Sequence, residues 1–120
     1  MPARVVVVHD DPEFVARAAT GLRVAGYDVA TFTDTLAATD ALDKAERIVE
    51  VLITRVLFPK GQPHGVALAL MARMKRPGVK VLFVARPDTR GFTDGVGEFL
   101  PAPVATADIV AAVERITKDI

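Results

Sequence analysis

The sequence predicts an α/β fold, a parallel sheet of five strands with helices on both faces, and three observations carry that prediction. Short β-branched runs alternate with amphipathic helical stretches along the chain, as right-handed strand–helix–strand crossovers require. The run from Val51 to Pro59, VLITRVLFP, shows no polar alternation before Arg55, which fits a central strand buried on both faces. Pro and Gly clusters punctuate the stretches between, and no internal repeat is present.

Each element follows from its residues. The first strand, Arg4 to Val8, ends at His9, Asp10 and Asp11. Pro12 at a first helical position, with Asp11 before it as N-cap, starts a helix. Phe14, Val15, Ala18, Leu22 and Ala25 recur on one face of it, Arg17 and Arg23 fall elsewhere, and Gly26 is the stop. A second strand spans Asp28 to Phe32. Asp34 caps a small-residue helix in which Ala38, Ala41, Leu42 and Ala45 share a stripe, with Asp40, Asp43 and Lys44 toward water. After the central strand, Phe58 to His64 holds two Pro and one Gly and reads as a loop.

Gly65 opens a third helix whose Val66, Leu68, Leu70, Met71 and Met74 spread around more than one face. A helix lying on a sheet in a monomer does not need that surplus, so Leu70, Met71 and Met74 form a candidate surface for a protein partner, a second copy of the chain included. The alternative is that the Phe58 to His64 loop folds back over them. Val79 to Val84 is the fourth strand. The segment ARPDTRGFTDGVGEF, with three Gly, leaves any fourth helix short or irregular. Glu98 to Leu100 is a minimal fifth strand, and Thr106 caps a last helix striped by Ile109, Ala112, Val113 and Ile116.

The totals bound the function. At 120 residues, 51% hydrophobic and 25% charged, the chain is read as a single domain over residues 1–120 with a core large enough to fold. Lys and Arg balance Asp and Glu at 15 each, which leaves no basic field for nucleic acid. There is no Cys, and so no disulfide, zinc thiolate or thiol nucleophile. The first apolar run is too short to cross a membrane or form a signal-peptide core, and the expectation is a cytoplasmic protein without a membrane partner.

In an open parallel sheet the functional crevice lies beyond the carboxyl ends of the strands. Here that places His9, Asp10, Asp11, Arg55, Ala85, Arg86 and Ala102 together. Three segments around them, VVVVHDDPEF, VLITRVLFP and FLPAPV, resemble the receiver domain of bacterial two-component response regulators, the CheY-like family, over Arg4 to about Ile116. The resemblance implies a flavodoxin-like doubly wound sheet in the order 2-1-3-4-5 and a role in signal transduction or a phosphorelay. It also implies a chemistry. Two adjacent acids after the first strand and an aspartate ending the third hold magnesium, and that aspartate accepts a phosphoryl group. A hydroxyl residue after the fourth strand and a lysine after the fifth respond to it.

Laid on this chain, the pattern breaks. The first acid position falls on His9, and Asp10 alone remains acidic; the phosphoacceptor position falls on Arg55, four residues before Pro59. The hydroxyl position falls on Ala85 and the lysine position on Ala102, before a retained Pro103 whose peptide bond the family usually holds cis. A guanidinium has no lone pair with which to attack phosphorus. Mg²⁺ wants oxygen ligands and is repelled by a fixed cation. The expectation is a degenerate receiver, a pseudo-receiver, without phosphotransfer, metal or cofactor, and with switching through Phe99 disabled.

Arg55 is then expected to pair with Asp10, and with Asp11 where it reaches, in place of the metal. The plainer reading is an Arg reaching into water. Asp11 also reads as a helix cap, and His9 as a polar strand-end residue or a pH-sensitive one. The leading function is a phosphorylation-independent protein-interaction module. The alternative is a small-molecule or anion site in the Arg55 crevice, with His64 and Arg86 adding positive charge. An enzyme is not expected: no nucleophile is gathered beside a base, and the acidic HDDP after the first strand repels the phosphate that a flavin would bring.

Overall fold

The computed structural model describes residues 4–44, 48–59 and 64–118. Strand β1 (Arg4–Val8) leads into helix α1 (Pro12–Val24), followed by β2 (Asp28–Phe32), α2 (Thr35–Lys44) and β3 (Val51–Thr54). Helix α3 (Gly65–Lys75), β4 (Lys80–Ala85), a short 3-10 segment (Pro87–Thr93), β5 (Glu98–Pro101) and α4 (Thr106–Lys118) complete the chain. All strand pairs are parallel and the sheet order is β2-β1-β3-β4-β5. Ala45 and the middle of the Phe58 to His64 loop lie outside the described residues, and with them the expectation that the loop covers α3.

Alternate residues of the inner strands feed two cores. Val5, Val7, Val51, Ile53, Leu82 and Val84 face α1 and α4, whose Phe14, Ala18, Leu22, Ile109, Val113 and Ile116 are buried against them. Val6, Val8, Leu52, Val81 and Phe83 face α2 and α3, packing on Ala38, Leu42, Leu68, Ala69 and Ala72. Every residue of β3 is buried, as an unbroken apolar strand demands. The register pairs Val8 with Thr54 and Thr54 with Phe83, so β1 and β3 finish level at their carboxyl ends while β4 runs two residues further, to Ala85.

The helix boundaries follow local chemistry. Asp11 caps α1, its Oδ1 accepting from the Glu13 amide at 3.0 Å, with Pro12 at the first helical position. At the other end Gly26 takes φ 100°, and the Gly26 and Tyr27 amides donate to the Arg23 and Leu22 carbonyls, both at 3.0 Å. That is the left-handed stop a glycine permits. Ala25 is an exposed cap residue there and not part of the buried stripe. In α2 the Asp34 side chain accepts from the Ala37 amide at 2.7 Å. Thr106 is the first residue of α4 and not its cap: the preceding carbonyl, Ala105, accepts from Asp108 and Ile109. Val79 is buried but lies one residue before β4.

Gly65 fixes how α3 leaves the β3 end. Its amide donates to the Val56 carbonyl at 2.7 Å, and a Cβ added there would stand 1.7 Å from the Arg55 carbonyl oxygen. Only glycine allows so close a backbone approach. Gly65→Ala therefore lowers stability by about 2 kcal/mol or more, whereas Gly78→Ala, with nothing within 4 Å of the new methyl, changes it by less than about 0.5 kcal/mol. Urea unfolding of the two variants checks this, and equal midpoints would contradict it.

Candidate functional site

Three strand ends and the first turn of α1 build the crevice. Thr54, buried at the end of β3, donates from Oγ1 to the Arg55 carbonyl at 3.0 Å, and Gly65 packs closely against that same carbonyl. The backbone of Arg55 is thus held and its side chain is directed at β1. There Arg55 Nη1 donates to Asp10 Oδ1, with the two side chains 27% and 28% exposed. A half-buried, charge-assisted pair of this kind lies between the exposed pair and the dry one.

Burial alone would raise the Asp10 pKa, but the hydrogen bond and the charge of Arg55 outweigh it, and the carboxyl sits below its ordinary 3.8. Asp11 does not share the guanidinium; its carboxylate is committed to the α1 cap. His9 Nδ1 lies 3.5 Å from Asp10 Oδ1, yet that nitrogen accepts the Asp11 amide at 3.1 Å. The lone pair of Nδ1 is taken by the Asp11 amide and the atom carries no proton to offer Asp10, so the contact is no ion pair. Burial first, and then the charge of Arg55, push the His9 pKa below 6.5 against the pull of Asp10 and Asp11. The ring is neutral and rests on Phe14, with centroids 4.4 Å apart.

The remaining residues of interest divide. Ala85 and Ala102 are brought together, the Ala102 amide donating to the Ala85 carbonyl at 2.7 Å, and the Ala102–Pro103 peptide bond is cis. Neither methyl offers a donor to an oxyanion. Arg86 turns away from Arg55: Nε and Nη2 clasp the two carboxylate oxygens of Asp88 at 3.1 and 2.5 Å. His64 is an exposed residue at the start of α3. Phe99 is partly buried on the α3 side, under the Arg90 guanidinium at 4.9 Å. Of the α3 surplus, Met71 is packed against the core, which leaves Leu70 and Met74 exposed.

Thr54, Gly65 and Phe14 support the site without belonging to its candidate residues. A hydroxyl ending an apolar strand is a visible signal for Thr54, and an aromatic three residues past the capping Asp11 is one for Phe14. Nothing in the sequence marks Arg90 as the residue over Phe99.

The chain has the receiver fold. It superposes on a response regulator receiver protein from Sinorhizobium medicae with TM-score 0.86 at 18% identity, covering 98% of this chain and 95% of that one. The chemotaxis response regulator CheY4 of Vibrio cholerae gives 0.83 at 23% identity, over 97% and 99% of the two chains. A CheY-like receiver domain protein from Methanospirillum hungatei gives 0.83 at 18%, over 98% and 96%. No family model matches the chain, and no curated protein matches it. At these identities the likeness establishes the fold.

Receivers of this fold imply a magnesium ion at the strand ends. The donor set does not fit one. Asp10 is spent on Arg55, Asp11 on the helix cap, and among the described residues no group of three or more His, Asp or Glu side chains is placed to hold a metal. A cation already stands beside the remaining carboxylate. No helix among the described residues is long and apolar enough to cross a membrane.

The pair has a pH signature. Because the folded pKa of Asp10 is depressed, its stabilisation is complete above 3.8 and is lost as pH falls through the lower folded value. Water still reaches both partners, so Arg55→Gln costs about 1 to 2 kcal/mol near neutral pH. Its gap from the parent narrows as pH drops below 3.8. Chemical unfolding across that range measures both, and a gap independent of pH would refute the assignment.

Proposed function

We propose that this chain is an atypical receiver that acts without aspartyl phosphorylation, as a protein-interaction module in two-component signalling and not as an enzyme. The observation that carries the reading is the Arg55–Asp10 pair. A fixed cation stands at the end of β3, where the resemblance puts the phosphoacceptor, and its charge is compensated by the one acid left after β1. Ala85 and Ala102 support the same reading, since neither can answer a phosphoryl oxygen. The proposed setting is the bacterial cytoplasm.

The alternative, an anion site on Arg55 itself, is less well supported. Asp10 compensates its charge, and Arg86 is committed to Asp88. The proposed partner surface is the exposed strip of α3, where Leu70 is 48% and Met74 84% exposed one helical turn apart. If that strip pairs two copies, the sedimentation coefficient rises with concentration and Met74→Glu abolishes the rise. A monomer at every concentration would remove self-association.

Intact-mass spectrometry after exposure to a small phosphodonor and Mg²⁺ tests the loss of phosphotransfer. No adduct is expected on the parent. A labile phosphoryl adduct would mean that Asp10 or Asp11 accepts the group, and the reading would fail. An Arg55→Asp variant run beside it restores the carboxylate at the strand end.

A further inference from the structure

We propose that the groove between the first turn of α1 and the β5–α4 loop binds a small carboxylate with an apolar body, in a site where neither Asp10 nor Arg55 takes part. The groove has a volume of about 370 Å³, at the small end of ligand pockets. It opens beyond the carboxyl ends of β1, β4 and β5, the end at which open parallel sheets hold ligands. Other cavities, such as that formed by Glu50, Pro77 and Val79, open at the opposite end of the strands.

One wall is apolar throughout: Phe14, Val84, Ala102, Pro103 and Val104. Ala102 sets the depth. Its amide is tied to Ala85, so the backbone cannot retreat, and any longer side chain at this position would occupy the groove. Such a wall selects a ligand with a hydrophobic body over a bare inorganic ion.

The rim supplies the polar end. His9, Arg17 and Arg86 line it with one carboxylate, Asp11. Because His9 Nδ1 accepts the Asp11 amide, the ring proton sits on Nε2, which is left to donate. Asp11 is turned to its helix cap and Arg86 is clasped by Asp88. Arg17 differs: it makes one long bond, 3.4 Å, to the Glu13 carbonyl and has no ion pair with a described residue. An Arg that makes no ion pair with a described residue, beside an imidazole donor, is matched by a carboxylate, which a guanidinium grips through two parallel bonds. A phosphate dianion meets Asp11 at the same rim and is disfavoured.

Benzoate serves as the probe, followed by NMR and thermal unfolding of the full chain. The expected result is saturable movement of the His9, Phe14 and Val104 signals, with a rise in the unfolding midpoint. Arg17→Gln, at an exposed helical position, weakens binding about tenfold. Ala102→Leu fills the groove and abolishes it. Should Ala102→Leu not fold, Arg17→Gln carries the test alone. Failure of the parent to saturate, equal binding of neutral benzamide or of inorganic phosphate, or unchanged binding in a folded variant would overturn the proposal. The outcome is separate from that of phosphotransfer, since Arg55 does not line the groove.

Discussion

The central strand is buried on both faces as far as Thr54, and the chain then sets a permanent cation at the point where water first returns. A guanidinium there cannot neutralise itself by losing a proton, and leaving it half-buried without a counter-charge is costly. The level ends of β1 and β3 bring Asp10 within reach, and the pair that results determines the rest of the crevice. It removes the carboxylate that a metal would need. Burial first, and then the positive partner of the pair, lower the His9 pKa, and the ring serves the Asp11 amide. Gly65 is the backbone condition for all of this, because it lets α3 start hard against the Arg55 carbonyl.

Much of the fold was legible because its signals are local or periodic. The β-branched runs, the Asp11-Pro12 start and the Gly26 stop all survive into three dimensions within a residue. The glycine-rich stretch after β4 forms a 3-10 segment, as a sequence without apolar periodicity should. Where the local pattern and the structure differ, a neighbour decides the matter. Thr106 has the residue type of a cap, but the chain enters α4 one residue earlier; Met71 fits a surface stripe, but it reaches the core below α3.

The site was legible in its membership and less so in its pairings. That Arg55 would meet Asp10 followed from which strand ends adjoin. That Arg86 would turn to Asp88 did not, because two residues of separation at a helix start compete with any long-range partner, and sequence alone does not rank them. Asp11 shows the same competition. Its amide-capping geometry is local and wins over the cation nearby. The groove beside α1 was invisible, since an absence of side-chain volume at Ala102 becomes a cavity only when the surrounding walls are placed.

The fold is shared with response regulator receiver proteins, and in this chain an ion pair joins the ends of β1 and β3. The most direct measurement is an NMR titration with Mg²⁺ that follows the Asp10 carboxylate and the Arg55 side chain. If Arg55 stands in the place of the metal, neither signal moves at millimolar Mg²⁺, and Arg55→Gln releases Asp10 toward an ordinary carboxylate pKa. Saturable movement of Asp10 in the parent, with loss of the Arg55 contact, would show that the pocket still opens to a metal and would contradict the account.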